Sequence, residues 1–390
     1  MPDTLHKVRI EKIAAGGAGL ARIEGKTVFI EGSAPGETVL CRVIAEHRSW
    51  LQAELLEIVE ASPDRVQPVC ALYGICGGCN LQHLRYESQL AAKTAIVSET
   101  FTRIGGFEST QPQIFFSPPW EYRNRMQLHI TREHTLWGLK ARKKDTVIPV
   151  ADCPIADPGI RSVLQNASQN VLQNVLPMSP EKDRVTVYAR NGLLLSESGI
   201  ARGKTRVLDR ELTVDAGVFF QSNGAMLETL ITDLREIAGK AQRDLPAADL
   251  YCGVGTFAAF LGELFPHIDL VEENKTALSL ACENLSRMGM VNSAFYAQRS
   301  EHWAQNNMHK TRYGFMVIDP PRQGLAPALT RLLAANGPPL LAYVSCDPAT
   351  LARDSKILTA GTYTLSELRC YDFYPQTAHI ESLAVFMRLK

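Results

Sequence analysis

The sequence lacks an excess of either charge and lacks any long apolar run. Its 390 residues include 41 Lys and Arg and 41 Asp and Glu, so no overall field attracts a nucleic acid or a membrane surface, and any such site must be a local patch. No stretch approaches the about 18 apolar residues of a membrane span. The first residues, MPDTLHKVRIEKI, lack the apolar segment of a signal peptide. We therefore expect a cytoplasmic protein that has no membrane partner.

Internal repeats and low-complexity tracts are also lacking, and the composition of 45% hydrophobic and 21% charged residues is that of a globular chain with two or three domains. Residues 1–61 contain short strand-like runs separated by glycine turns, which predict a small antiparallel β-barrel. Residues 62–215 mix strands with helices predicted over 82–105 and near 158–176. Residues 216–390 alternate strand, loop and helix, which predicts an α/β domain with a Rossmann-like parallel sheet.

Ligands of such a sheet bind beyond the carboxyl ends of its strands, where the sequence DLYCGVG ends a predicted strand. Gly253 and Gly255 let the backbone approach a nucleoside, and Glu272 ends the next strand, where a carboxylate can accept both ribose hydroxyls. A third glycine in register is lacking, since position 258 is alanine, and there is no G-K-[ST] phosphate loop. This pattern favours S-adenosylmethionine over NAD or ATP.

Two further strand ends carry candidate chemistry. VIDPPRQGL places Asp319 and two prolines at one strand end, but Arg322 stands where enzymes that methylate exocyclic amines commonly have an aromatic residue. YVSCDPATLARD places Cys346 between a strand and a predicted helix. Because a helix N-terminus favours thiolate over thiol, we expect Cys346 to be a reactive nucleophile.

Nine cysteines in a chain without a predicted leader suggest metal-binding or catalytic thiols more than disulfides. Cys70, Cys76 and Cys79 have C-x5-C-x2-C spacing, and Cys153 lies in VADCPIAD. The glycines between Cys76 and Cys79 let the thiolates converge, so a four-thiolate site is predicted. Zinc and an iron-sulfur cluster both accept four thiolates, and the spacing does not choose between them.

A basic stretch at residues 120–145 predicts RNA contact. Arg123 and Arg125 begin a run of cations interleaved with Trp120, Tyr122 and Trp137. Cations neutralise phosphates and aromatic rings stack on bases, so we expect this surface to bind RNA.

The C-terminal half resembles the RNA uracil-5-methyltransferase family, whose members make 5-methyluridine in ribosomal and transfer RNA. The resemblance is carried, in order, by FFQSN, DLYCGVGTF, VEEN, DPPRQGL, YVSCDPATLARD and HIESLAVF. The N-terminal barrel is similar to the TRAM domain that many members carry. The resemblance implies an S-adenosylmethionine-dependent methyltransferase that acts as a monomer on RNA, with ribosomal RNA favoured over transfer RNA.

The resemblance also implies roles for individual residues. Cys346 matches the nucleophile that adds to carbon 6 of uracil, and Glu381 in HIES matches the base that removes the carbon-5 proton. The matching cofactor-pocket positions are Gln221, Tyr251, Gly253, Glu272 and Asp319. Phe219 and Gln221 match an F-x-Q element beside the target base. Members with this cysteine pattern hold a 4Fe-4S cluster, here on Cys70, Cys76, Cys79 and Cys153.

One position departs from the family. Where members carry an acid near the adenine, this chain reads FYAQRSEHW, so Ser300 and Glu301 are the nearest candidates. Three alternatives remain open: a transfer-RNA uridine carbon-5 methyltransferase, an RNA exocyclic-amine methyltransferase that uses the Asp-Pro-Pro loop, and a non-catalytic RNA-binding iron-sulfur protein.

Overall fold

The computed structural model describes residues 4–108, 111–131, 137–166 and 183–389. The first six strands form one sheet in the order β1-β5-β6-β4-β3-β2. Their bounds are β1 Leu5–Arg9, β2 Lys12–Ile13, β3 Gly19–Ile23, β4 Lys26–Ile30, β5 Thr38–Glu46 and β6 Trp50–Glu60. Apolar side chains from the outer and central strands meet in one core, including Val8, Ile23, Val28 and Val39. The sheet therefore curls around one core as the predicted barrel, but the expectation that it is antiparallel throughout is wrong, because β4 runs parallel to β6.

The next part of the chain begins with a helix. Helix α1, Tyr86–Thr100, continues as a π-helical turn, Phe101–Gly105, and stops at Gly106, whose φ of 77° suits glycine. The helix predicted from residue 82 starts later because Leu84 closes a turn on Leu81. Helix α2, Pro158–Asn166, is the described part of the helix predicted to residue 176, and the remainder lies outside the described residues.

Two sheets accompany these helices. One has the order β10-β9-β8-β11-β12, and β13 pairs with β14 as a separate hairpin. The strands are β8 Arg125–Ile130, β9 Trp137–Lys140, β10 Val147–Pro149, β11 Arg184–Arg190, β12 Leu193–Ser196, β13 Arg202–Val207 and β14 Arg210–Asp215.

The largest sheet has eight strands in the order β17-β16-β15-β18-β19-β21-β20-β7. Its strands are β7 Gln113–Phe115, β15 Ala247–Leu250, β16 Ile268–Val271, β17 Ser293–Tyr296, β18 Phe315–Ile318, β19 Leu340–Ser345, β20 Tyr363–Tyr371 and β21 Glu381–Arg388. The helices α3 Gly224–Gly239, α4 Thr256–Leu261, α5 Lys275–Arg287, α6 Ser300–Asn307, α7 Pro327–Asn336 and α8 Pro348–Ala360 alternate with these strands. Apolar cores on both faces of the sheet make this the predicted Rossmann-like domain.

The topology fixes where ligands can bind. Strands β15 to β19 are parallel, so their carboxyl ends share one edge of the sheet. Strand β21 runs antiparallel to β19, and its first residue therefore lies at that same edge. Among the described residues, no helix is both long and apolar enough to cross a membrane.

Candidate active site and four-cysteine site

A cavity of about 520 Å³ opens at the carboxyl ends of the parallel strands. Eight of the residues predicted for catalysis, cofactor and target base line this cavity: Phe219, Gln221, Tyr251, Gly253, Glu272, Asp319, Cys346 and Glu381. They come from six separate stretches of the chain. The fold therefore brings the sequence motifs together in one place.

The register of two strands sets Cys346 beside Glu381. Ser345, the last residue of β19, is paired with Ser382 near the start of antiparallel β21. Continued by one residue, this register places Cys346 near Glu381 at the edge of the sheet, and both residues line the cavity. Glu381 is only 3% exposed, whereas Cys346 is half-buried and reachable from the cavity.

The expectation that the helix N-terminus makes Cys346 a thiolate is wrong. Burial, followed by the nearby carboxyls of Glu381 and Asp319, raises the pKa of the Cys346 thiol to about 11. Helix α8 does begin just beyond the cysteine, but Asp347 caps it: its Oδ1 accepts bonds from the N–H groups of Ala349 and Thr350 at 2.9 Å. The helix N-terminus is thus satisfied by its own capping carboxylate.

Two carboxyls share the cavity with this thiol. Burial raises the pKa of Asp319 to about 7. Burial and the charge of Asp319 raise the pKa of Glu381, and only the guanidinium of Arg322 opposes this shift. Desolvation disfavours the charged form of each group, so a cation bound beside them would favour their ionisation.

The glycine turn after β15 has the geometry of a nucleoside site. The Glu272 carboxylate accepts bonds from the N–H groups of Gly253 at 3.1 Å and Asn274 at 2.8 Å, which leaves lone pairs free for a ligand. Gly255 has a φ of 77°, and a Cβ there would lie 3.0 Å from that of Ala281. Tyr251 has a φ of 63°, a strained conformation typical of functional sites.

A second cavity of about 370 Å³ lies on the other side of Tyr251. Ser300 and Glu301, the predicted adenine-side candidates, both line it, and so does Gln298. Sequence reasoning overlooked Gln298, although it stands in the same FYAQRSEHW segment.

The YVSCDPATLARD motif, residues 343–354, contacts the Asp-Pro-Pro loop. Helix α8 supports the Asp-Pro-Pro loop: Thr350 donates to the carbonyl of Arg322 at 3.3 Å, and Arg353 donates to that of Gln323 at 3.0 Å. Asp354 accepts from the N–H of Leu325 at 2.9 Å. Residues 350–354 of the YVSCDPATLARD motif therefore anchor the DPPRQGL motif.

Tyr374 and His379 also line the catalytic cavity and were missed by sequence reasoning. Their rings contact each other at 5.9 Å in an edge-to-face arrangement. The available signal was the position of His379, two residues before Glu381 in HIES. Burial lowers the pKa of His379, so this imidazole is neutral near pH 7.

The two arginines predicted to touch RNA occupy different places. The Arg125 guanidinium lies 5.8 Å from the ring centroid of Phe219, which is 58% exposed at the cavity. Arg123 instead lines the cavity that contains the predicted metal ligands. Part of the basic stretch, residues 132–136 with Arg132, lies outside the described residues.

All four predicted metal ligands, Cys70, Cys76, Cys79 and Cys153, line one cavity of about 560 Å³. Burial raises the pKa of Cys79 to about 12 and that of Cys153 to about 11. Metal binding there would displace thiol protons. In the described part of the chain, no three His, Cys, Asp or Glu side chains converge closely enough to hold one ion in common. The four thiols that line this one cavity fit the donor set of a cluster, in which each thiolate would bind a different iron.

Comparisons with known proteins agree with this geometry. The family model for tRNA (uracil-5-)-methyltransferase matches residues 193–389, and that for the TRAM domain matches residues 6–56. An uncharacterized RNA methyltransferase of Treponema denticola is 32% identical, with 98% of each chain covered. A 23S rRNA (uracil(1939)-C(5))-methyltransferase of Alkalilimnicola ehrlichii is 28% identical, covering 100% of this chain and 98% of its own.

A solved structure shares the fold. The Pyrococcus abyssi tRNA (uracil-54, C5)-methyltransferase in complex with S-adenosyl-L-homocysteine superposes with a TM-score of 0.76 at 22% identity, covering 98% of this chain and 100% of its own. Family model, relatives and fold thus agree over nearly the whole sequence. The chain belongs to the tRNA (uracil-5-)-methyltransferase family, whose members are S-adenosylmethionine-dependent RNA uracil-5-methyltransferases, and carries an N-terminal TRAM domain.

Proposed function

We propose that this protein methylates carbon 5 of a uridine in structured RNA, with 23S ribosomal RNA favoured, through a covalent adduct between Cys346 and carbon 6 of the base. The observation that carries the proposal is the strand register that sets Cys346 opposite Glu381 inside one cavity with the cofactor-side residues. This chemistry requires a nucleophile and a base that both reach one uracil ring.

The Cys346 thiol gives its proton to solvent water, the sulfur forms a bond to carbon 6, and the electron pair of the carbon 5–carbon 6 double bond becomes an enolate. S-adenosylmethionine, when bound, would supply an electrophilic methyl group: carbon 5 would take the methyl as its bond to the sulfonium sulfur breaks, and S-adenosylhomocysteine would leave with that electron pair. Glu381 as carboxylate then removes the carbon-5 proton. The electron pair left behind restores the double bond and expels the Cys346 thiolate.

Other cavity residues bind and orient. The free lone pairs of Glu272 suit the ribose hydroxyls of the donor, and Asp319 and the Gln221 amide complete that side of the pocket. Exposed Phe219, with the Arg125 cation against its ring, offers a stacking surface for a base turned out of the RNA.

Trapping the adduct tests the mechanism. Glu381→Gln keeps the side-chain shape without a basic oxygen, so RNA should remain attached to the enzyme after methyl transfer. RNA with 5-fluorouridine should do the same with the unmodified enzyme, because fluorine does not leave as a proton. Both adducts should survive denaturing electrophoresis, and both should be absent in Cys346→Ala. Cys282→Ala, at an exposed cysteine of α5, is the matched control and should form the fluorouridine adduct normally.

Two results would contradict this mechanism. Methyl transfer by Cys346→Ala at an undiminished rate would favour methylation of an exocyclic amine through the Asp-Pro-Pro loop. Tight RNA binding without methyl transfer to any unmodified RNA would favour a non-catalytic RNA-binding protein.

The choice of ribosomal RNA is supported by the 23S rRNA-specific relative, which matches the whole chain. A transfer-RNA target is the alternative, because the P. abyssi enzyme with the same fold is named for tRNA. Mapping 5-methyluridine in total RNA from a deletion strain should reveal one or more unmethylated uridines in 23S rRNA. Methylation should return with the unmodified gene and not with Cys346→Ala. A loss confined to tRNA would overturn the ribosomal assignment.

For the four-cysteine site we propose a 4Fe-4S cluster held by Cys70, Cys76, Cys79 and Cys153. Support comes from the four thiols that line one cavity and from the softness of an all-sulfur ligand set. We also propose the division of labour expected from the sequence, with a barrel at residues 1–61, an iron-sulfur and RNA-binding region at 62–215 and a methyltransferase domain at 216–390.

A further inference from the structure

Residues 372–380, which join β20 to β21, form what we call the catalytic loop. Tyr374 and His379 of this loop line the catalytic cavity, and the loop leads directly into Glu381. Its backbone is strained at Gln376, where a non-glycine residue has a φ of 68°. Such a conformation persists only when surrounding contacts enforce it. The position of the proposed base therefore depends on whatever holds this loop.

Asn80 makes two hydrogen bonds to the catalytic loop and one to the barrel. Its backbone N–H donates to the carbonyl of Gln376 at 3.1 Å, and its side-chain Oδ1 accepts a bond from the N–H of Ala378 at 2.9 Å. Its side-chain Nδ2 donates to the carbonyl of Gly16 in the barrel at 2.8 Å. The neighbouring Gly17 has a φ of 90°, and a Cβ there would lie 2.6 Å from the Asn80 amide nitrogen. The barrel therefore packs closely against Asn80 at Gly17, and Asn80 in turn contacts the catalytic loop.

Asn80 also directly follows Cys79, which lines the four-cysteine cavity. The peptide bond between Cys79 and Asn80 therefore contains the N–H that donates to the carbonyl of Gln376. We call residues 70–79 the cysteine segment. A displacement of its backbone at Cys79 would change the direction of that N–H and of the Asn80 side chain.

We infer that Asn80 is a positioning residue that couples the four-cysteine site to the catalytic loop and so to the step performed by Glu381. This inference rests on the proposed function. It assigns to the cysteine segment an influence on proton removal from carbon 5, the last chemical step, in addition to any part in RNA binding.

Two variants of Asn80 separate this role from a general structural one. Asn80→Ala removes both side-chain bonds, whereas Asn80→Asp keeps an oxygen for the Ala378 N–H but replaces the donor to Gly16 by a carboxylate oxygen, which the Gly16 carbonyl repels. For Asn80→Ala we expect kcat to fall about tenfold, because a displacement of about 1 Å can cost about a hundredfold and we expect a smaller one here. The fraction of enzyme held as a covalent adduct with ordinary uridine RNA should rise, since proton removal becomes slow. The KM for RNA, the affinity for S-adenosylhomocysteine and the metal content should stay within about twofold.

Asn80→Asp should retain the kcat and adduct fraction of the unmodified enzyme. The inference fails if Asn80→Ala keeps its kcat, if its kcat falls with no rise in adduct, or if the two variants lose activity equally. The fluorouridine adduct of the unmodified enzyme keeps this failure distinct from failure of the proposed function. If that adduct forms and Asn80→Ala behaves normally, only the inference about Asn80 is wrong.

The link to the cysteine segment has its own test. Cys79→Ala should lose iron and should also accumulate adduct on ordinary uridine RNA, with S-adenosylhomocysteine affinity kept. Cys282→Ala, at an exposed cysteine on α5, is the matched control and should change neither. Loss of iron from Cys79→Ala with a normal adduct fraction would overturn the coupling.

Discussion

At the scale of single residues, the candidate active site gathers acidic groups whose charged forms are disfavoured by burial. The pKa of Asp319 is raised to about 7 and that of Cys346 to about 11, while that of Glu381 is raised as well. The proposed reaction needs a thiolate and a carboxylate, so positive charge must favour ionisation when substrates bind. The guanidinium of Arg322 acts in this direction at both Cys346 and Glu381. The sulfonium of the methyl donor would add a second positive charge.

This electrostatic balance predicts a pH-dependent affinity for the methyl donor. Above a pH of about 7 Asp319 is a carboxylate and attracts the sulfonium. Below that pH it is neutral, so S-adenosylmethionine should bind up to about tenfold more weakly for each pH unit. S-adenosylhomocysteine, which has no sulfonium, should depend on pH much less. Calorimetric titration of both ligands between about pH 5.5 and 8 measures the difference.

Asp319→Asn should remove most of the difference between the two ligands, because the amide cannot ionise. Glu301→Gln is a matched control, since Glu301 lies in the neighbouring cavity beyond Tyr251. An equal pH dependence for both ligands in the unmodified protein would contradict a sulfonium site beside Asp319.

At the scale of secondary-structure elements, the catalytic loop is held by helix α1, which lies almost three hundred residues earlier in the chain. The Lys93 ammonium contacts the Asp372 carboxylate at 2.6 Å, and both side chains are fully buried. Lys93 also donates to the carbonyl of Tyr374 at 3.0 Å, and Tyr86 donates to Asp372 at 2.8 Å. A buried charge pair is costly to break, because the remaining partner is then a buried charge without its counter-charge.

Lys93→Met should therefore lower the free energy of unfolding by about 3–5 kcal/mol. The double variant Lys93→Met/Asp372→Leu should recover a large part of this loss, because no charge is left unpaired. Lys12→Met is the control: its pair with Glu99 is exposed, with 45% and 55% of the two side chains accessible, and should contribute less than about 1 kcal/mol. Urea unfolding of the four proteins measures these effects. A small loss in Lys93→Met would show that the loop does not depend on this pair.

The sequence predicted the elements better than the contacts between them. The strand and helix alternation after Phe219 and the residues at each strand end follow from local patterns, and the structure brings those residues to one cavity. The raised pKa of Cys346 could not be read locally, because it comes from burial and from Glu381 and Asp319, which other strands carry. The contacts of Asn80 and Lys93 with the catalytic loop join segments that no local pattern relates.

At the scale of the whole molecule, the cysteine segment lies where the barrel and the methyltransferase domain meet. Its position in a separate domain predicts from sequence that loss of the metal spares methyl transfer. The bonds from Asn80 to Gly16 and Ala378 argue against this separation. A group bound by Cys70, Cys76, Cys79 and Cys153 would also join two segments far apart in the chain, so its binding energy would stabilise the fold.

The identity of the group bound by the four cysteines determines the metal content of the isolated protein. Anaerobically isolated protein should be brown and should contain about four iron and four sulfide per chain, by the stoichiometry of a 4Fe-4S cluster. Cys153→Ala removes a thiol far in sequence from the other three and should lose iron and thermal stability together, because the proposed cluster would close the loop between the two segments. Cys282→Ala, at an exposed cysteine outside the cavity, should keep both. Stoichiometric zinc in place of iron would overturn the cluster assignment, and full iron in Cys153→Ala would remove that residue from the ligand set.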